Sequence, residues 1–167
     1  MTRIPLERKV LSENDRIADT LRQRFAASGV RALNLISSPG SGKTLLLEKT
    51  LASFRPDRRV AVLTGDIQTD NDAVRLARYG FPVRQITTAG ACHLDARMVE
   101  RALDGWDLDS LDLLLIENVG NLVCPTSYDL GEEAKIVLLS VTEGEDKPLK
   151  YPGIFSRAAL LVLTKID

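Results

Sequence analysis

Leu33-Asn34-Leu35-Ile36-Ser37-Ser38-Pro39-Gly40-Ser41-Gly42-Lys43-Thr44 is a short apolar run that gives way to a turn holding two glycines, and Leu45-Leu46-Leu47-Glu48-Lys49 continues it with helical character. Strand, loop and helix in that order are the layout of a phosphate-binding loop. Gly40 and Gly42 lack a Cβ, so successive backbone N–H groups can curl around phosphate oxygens, and the N-terminus of the following helix adds partial positive charge. Pro39 and Ser41 complete the nucleotide-binding turn. Lys43 is placed to reach the β/γ-phosphates, and the Thr44 hydroxyl to reach Mg²⁺. The consensus has glycine where this chain has Ser37, but the lysine, the hydroxyl and the flanking strand are all in place.

On the N-terminal side, Ser12-Glu13-Asn14-Asp15 reads as a capping box, after which Ile17, Ala18, Leu21 and Phe25 recur at helical spacing until Gly29. Residues 1–29 are therefore expected to give an amphipathic lead-in helix that covers one side of a sheet. On the C-terminal side, apolar runs of strand length recur at residues 60–64, 82–87, 112–116, 135–141 and 159–163, with helical stretches at 73–79 and about 96–103. With the strand at 31–37 that makes six strand-like runs alternating with helices. The pattern predicts an α/β fold, a three-layer P-loop NTPase with a mostly parallel sheet, as one domain over residues 1–167.

Composition narrows the partners. The chain has 167 residues, 44% of them hydrophobic, enough for one sizeable core. With 22 basic and 23 acidic residues and a net charge of −1, it shows neither a nucleic-acid footprint nor a patch for an acidic membrane. Met1-Thr2-Arg3-Ile4-Pro5-Leu6 opens no apolar leader, and no run approaches the roughly 18 apolar residues of a membrane span, so a cytoplasmic protein is expected. Two cysteines cannot make a disulfide framework; in a reducing compartment they are buried thiols or ligands.

In open parallel sheets ligands sit beyond the carboxyl ends of the strands, so the residues just after each apolar run matter most. After the second run comes Asp66, within the acidic loop Gly65-Asp66-Ile67-Gln68-Thr69-Asp70-Asn71-Asp72. Asp72 is placed either to orient water or to cap the next helix. After the fourth run comes Glu117-Asn118-Val119-Gly120. A carboxylate there is where P-loop enzymes keep a Mg²⁺-orienting acid, and Gly120 could offer its N–H to a γ-phosphate, as in the DxxG element of GTPases. Lys43, Asp66, Asp72 and Glu117 are thus the candidate catalytic residues, with Thr44, Asp66 and Glu117 as the Mg²⁺ set. Thr164-Lys165-Ile166-Asp167 follows the last run and resembles the NKxD guanine-reading element, with Thr164 for the usual Asn. Lys165 would pack on the base and Asp167 would accept from the guanine edge, which favours GTP over ATP.

The single histidine, His93, adjoins Cys92, and the second cysteine, Cys124, follows farther along. Such a set is either a metal site with an open fourth position or a pair of buried thiols. Thiolate and imidazole suit Zn²⁺ in tetrahedral and Ni²⁺ in square-planar geometry.

Together these elements resemble the HypB family, SIMIBI-type P-loop GTPases that assist nickel insertion into [NiFe]-hydrogenase. The match is carried by residues 38–44, by 65–73, by Cys92-His93-Leu94-Asp95-Ala96, by Glu117-Asn118-Val119-Gly120-Asn121-Leu122-Val123-Cys124-Pro125 and by residues 140–152. The resemblance implies slow hydrolysis of GTP to GDP and phosphate, with Mg²⁺ as cofactor. It makes Cys92, His93 and Cys124 the Ni²⁺ or Zn²⁺ site of the GTPase domain, at the interface of a nucleotide- or metal-dependent homodimer. It also implies a hydrogenase maturation partner protein and the hydrogenase large subunit as clients. Lys147 and Lys150 could reach phosphate, from this chain or a partner copy, but a solvated loop is the favoured reading of both. The chain has no Cys-rich nickel motif or His-rich tract at its N-terminus, and relative to the family it is expected to be truncated at the C-terminus, where further elements help close the guanine pocket. The urease nickel GTPase is the nearest alternative, but its Cys-Pro-His run is absent here. A nucleotide-gated Zn/Ni-binding module without efficient hydrolysis is the alternative of another class, and a small-molecule kinase, which would need an arginine-rich lid, trails both.

Overall fold

The computed structural model describes residues 6–68 and 70–167. The leader reading of Met1 to Pro5, and Thr69 in the acidic loop, lie outside the described residues. Six strands, β1 (Arg31–Ser37), β2 (Val60–Asp66), β3 (Val83–Thr87), β4 (Leu113–Glu117), β5 (Ala134–Ser140) and β6 (Leu160–Thr164), form one sheet in the order β3-β2-β4-β1-β5-β6. All five pairings are parallel.

Strand residues alternate between two apolar layers, as a sheet covered on both faces requires. On one face Ala32, Ala61, Leu63, Leu114 and Ile116 pack against Ile17, Ala18, Leu21 and Phe25 of α1 (Leu6–Ser28) and Val99 of α4 (Ala96–Ala102). On the other, Leu35, Val62, Leu115 and Leu138 pack against Leu47 and Leu51 of α2 (Lys43–Ser53) and Leu76 of α3 (Asn71–Ala77). Two short helices, α5 (Lys147–Lys150) and α6 (Pro152–Arg157), follow β5, and Ile154 of α6 closes a smaller core with Ile36, Leu122 and Val137.

The expected start of the first helix is corrected. α1 already runs from Leu6, and Ser12 is internal: its Oγ donates back to Lys9 O at 2.9 Å. Glu7, Arg8, Lys9 and Leu11 are good helix formers, so the helix continues upstream past the apparent capping signal. Asn14 from the same tetrapeptide turns inward instead, accepting from Ala96 N–H at 2.8 Å and donating to Asp129 O at 2.9 Å. Strand limits move by a residue or two, with β2 reaching Asp66. Pro82 stays outside β3, offering only its carbonyl to Val62 N–H.

Candidate functional site

The loop after β1 folds around two left-handed glycines, Gly40 (φ 73°) and Gly42 (φ 95°), a conformation that a side chain would strain. Gly42 caps α2 with no side-chain hydrogen bond, which leaves the first-turn N–H groups facing outward for an anion. Thr164 Oγ1 donates to Ser41 O at 2.7 Å, and Ser41 Oγ donates to Glu143 Oε1 at 2.9 Å. The loop is thereby tied to the ends of β5 and β6. Burial pushes the Glu143 carboxyl up, but hydrogen bonds from Ser38, Ser140 N–H and Ser41 outweigh it and hold the group below the usual glutamate range.

Pro39, Gly40, Gly42, Lys43, Thr44, Gly65, Asp66, Asp72, Arg75, Glu117 and Gly120 line one cavity of about 440 Å³ at these strand ends. Lys43, 9% exposed, donates from Nζ to Ser37 Oγ at 3.1 Å, so the serine that replaces the consensus glycine holds the lysine. Burial lowers the Lys43 pKa, opposed by Glu117, Asp72, Glu143 and Asp66. Glu117 is 3% exposed and accepts from Thr44 Oγ1 at 2.7 Å. Burial pushes its carboxyl up to about 7, against the pull of Thr44 and Lys43. Its Oε2 has no hydrogen-bond partner among the described residues. A buried carboxylate oxygen left unpaired, beside a threonine hydroxyl and Asp66, is a donor set of hard oxygens that fits Mg²⁺. Asp66 Oδ1 accepts from Gln68 N–H at 2.9 Å. Asp72 lies in the first turn of α3, 3.4 Å from Arg75 Nη1, and Arg75 is held by Glu48 at 2.6 Å. Gly120 touches the phosphate loop, since a Cβ there would lie 2.9 Å from Pro39 Cα.

Ser41 is buried beneath the loop rather than on the cavity wall, and Lys165 and Asp167 are exposed beyond it. Lys165 takes φ 56°, turning the chain as it leaves β6. Lys147 lies over the Tyr151 ring at 5.5 Å and Lys150 pairs with Asp146 at 2.6 Å; neither lines the cavity.

Cys92, His93 and Cys124 come together on the loops after β3 and β4, with their ligand atoms within 4.8 Å of one another. Cys92 Sγ is 2.8 Å from Cys124 Sγ and 3.9 Å from His93 Nδ1. All three are half-buried. The hydrogen bond from Cys92, then burial, raises the Cys124 thiol pKa. Burial lowers that of His93 despite Asp95, which favours the neutral, ligating imidazole. The His93 ring stacks on Tyr128 with centroids 3.8 Å apart.

Glu143, Arg75, Asn118 and Tyr128 were not singled out from sequence. Ser140 and Glu143 form a capping box at the end of β5, so the Ser-x-x-Glu spacing was the available signal for Glu143. Arg75 and Tyr128 carry no local signature.

The fold and site define a P-loop nucleotide-binding domain that carries a thiol–imidazole triad. Residues 31–167 match the CobW/HypB/UreG nucleotide-binding domain family, and the chain belongs to that family, on its HypB branch. It is 52% identical over 164 residues to the hydrogenase maturation factor HypB of Escherichia coli K12, covering 98% of this chain and 57% of that protein. The chain thus spans little more than half of that curated relative. The crystal structure of HypB from Helicobacter pylori in complex with nickel superposes with a TM-score of 0.83 at 50% identity, over 90% of this chain and 71% of that one. The GDP complex of the signal recognition particle 54 kDa protein from Aeropyrum pernix shares the fold alone, with a TM-score of 0.61 at 16% identity over 83% of this chain and 36% of that one.

Proposed function

We propose that this chain is the GTP-binding and GTP-hydrolysing domain of a nickel metallochaperone acting in [NiFe]-hydrogenase maturation. The observation that carries the reading is the joining of two sites in one domain: a phosphate cavity with buried Lys43 and Glu117, and a Cys92-His93-Cys124 triad on loops that leave the same, carboxyl-terminal ends of the strands. GTP binds with its phosphates over Gly40–Thr44, and Lys43 leaves Ser37 for the β/γ-oxygens. Thr44, Glu117 and Asp66 would hold Mg²⁺, which would supply positive charge beside the phosphates. Asp72 orients the attacking water, and Gly120 N–H contacts the γ-phosphate. Lys165 and Asp167 select guanine. Hydrolysis is slow: among the described residues Arg75 is the arginine that lines the cavity, and Glu48 restrains it.

The cargo is Ni²⁺, with Zn²⁺ able to occupy the same thiolates and imidazole. The active form is a homodimer that depends on nucleotide or metal, and it passes nickel in the cytoplasm to the hydrogenase large subunit with a maturation partner protein. Single-turnover GTP hydrolysis with Mg²⁺, beside Ni²⁺ titration of the same preparation, tests the reading. Turnover and stoichiometric nickel binding are expected, both lost selectively in Lys43→Ala and Cys92→Ala respectively. ATP competing as well as GTP, or nickel binding that survives Cys92→Ala and Cys124→Ala, overturns it.

A further inference from the structure

The metal triad and the phosphate cavity meet at one residue of each. Leu94 follows His93, and its buried side chain sits directly on the end of β2: a Cβ at Gly65, one residue before Asp66, would lie 2.8 Å from Leu94 Cγ. Its backbone N–H donates to Asn118 Oδ1 at 3.1 Å, and Asn118 is the residue between Glu117 and the Val119-Gly120 turn. Leu94 is therefore wedged between the strand end that bears Asp66 and the strand end that bears Glu117.

Asn118 is 1% exposed, in a place where an apolar side chain would pack without cost in desolvation. Every polar atom of its amide is engaged. Oδ1 accepts from Leu94 N–H and, at 3.0 Å, from Val119 N–H, while Nδ2 donates to Asn34 Oδ1 at 3.2 Å. Asn34, fully buried within β1 three residues before Ser37, donates in turn to Glu132 Oε1 at 3.2 Å. Glu132 pairs with Lys135, whose Nζ donates to Tyr128 O at 3.1 Å, and the Tyr128 ring carries His93. The contacts close a circuit: the Leu94 N–H, on the peptide that follows His93, is held by Asn118, and the His93 ring is held by the far end of a chain that starts at the same amide.

We infer that Asn118 is a positioning residue that couples nucleotide state to the metal site, by carrying displacement of the Glu117–Gly120 segment to His93 through the Leu94 N–H. A γ-phosphate contacted by Gly120, which already lies against Pro39, shifts an amide bonded at both its oxygen and its nitrogen, and buried networks held in this way move as units or break. The route differs from one along the chain from Gly120 to Cys124, because it acts on the imidazole rather than the thiol. It rests on the proposed reading that GTP and nickel occupy these two sites.

The test is the ratio of Ni²⁺ dissociation constants in the GDP form and the form bound to a non-hydrolysable GTP analogue. In the parent chain the ratio is expected to depart from one by about 5- to 150-fold, the usual span of coupling between two sites. Asn118→Ala should bring it to within about threefold of one. Asn118→Ser, too short to reach Leu94 N–H, does the same if the alanine variant is poorly folded. Asn118→Asp keeps the acceptor for the Leu94 N–H while giving up the Nδ2 donor to Asn34, and should retain part of the ratio, which a merely structural role does not predict. A folded Asn118→Ala or Asn118→Ser with the parental ratio overturns the inference and leaves the function standing, as does a parent chain that binds both ligands with a ratio of one. A parent chain that binds no nucleotide or no nickel overturns the function reading itself.

Discussion

The phosphate cavity and the metal triad stand on neighbouring strand ends but on opposite electrostatic terms. In the cavity, Lys43 and Glu117 are almost fully buried, each pushed toward its neutral form, and Glu117 Oε2 has no partner among the described residues. The triad is half-exposed, with a neutral imidazole and thiols that already bond to each other. One site is frustrated without its ligand, the other is at rest. Burying a charge without full compensation costs several kcal/mol, so under the proposed reading phosphate and Mg²⁺ would relieve a strained cavity, whereas a metal ion would have to displace protons from a relaxed triad.

The sharpest way to break that contrast is Lys43→Ala. Removing one partner of a buried charge contact typically costs about 2–5 kcal/mol in binding, so nucleotide affinity should fall by about 30-fold or more. The apo domain should melt no earlier than the parent, since the alanine removes a charge that burial disfavours. A marked drop in apo stability, followed by circular dichroism, would mean that Lys43 is a packing group.

Next in size is a pH effect on the apo domain in chelated buffer. The Glu117 pKa is raised from 4.5 to about 7 in the folded state, so across that interval the fold keeps a proton that the unfolded chain has released. Stability should therefore fall as pH rises from about 4.5 through about 7, by up to about 3 kcal/mol, with less if water reaches the carboxyl. Glu117→Gln should flatten that part of the urea-denaturation profile, and saturating Mg²⁺ with nucleotide should flatten it too. A parental slope in Glu117→Gln would assign the titration elsewhere.

Cys92→Ala and Cys124→Ala should each weaken Ni²⁺ binding by at least about tenfold while leaving apo stability within about 0.5 kcal/mol, because neither thiol is a deeply buried group. Calorimetry in two buffers of different ionisation enthalpy would show the proton release of the parent halved. Asp66→Asn should raise the Mg²⁺ requirement of turnover severalfold. Smallest is Asp167→Asn, expected to move preference from guanine toward xanthine; Asp167 is exposed, so the change in this chain should be a few-fold, read by competition between GTP and XTP.

The same contrast marks what was legible in the sequence. The sheet was readable because buried parallel strands are uninterrupted apolar runs, and Gly40, Gly42 and Lys43 were readable because backbone curvature and phosphate charge leave few residue choices. Cys92, His93 and Cys124 stood out only as rare residue types; that they converge depends on β4 lying beside β2, which no local pattern states. Ser12 misled because capping and mid-helix serines look alike in one dimension. Asn34 was hidden inside an apolar run, and its role becomes visible only with Glu132, 98 residues away, beside it.

The sheet order also sets when the two sites can exist. β4 enters between β1 and β2, and among the described residues β1 pairs with β4 and β5 alone, so the strand that carries the phosphate loop stays unpaired until the chain has been made past Leu113. The bond from Asn118 to Asn34 closes 84 residues of chain, and the two thiols meet across 32 residues that include β4. Such non-local parallel pairing is intrinsically slow. During synthesis, the phosphate cavity and the thiol–imidazole triad should thus mature together and late: nascent chains of increasing length should gain protease resistance from added nucleotide only once β4 and β5 have left the ribosome.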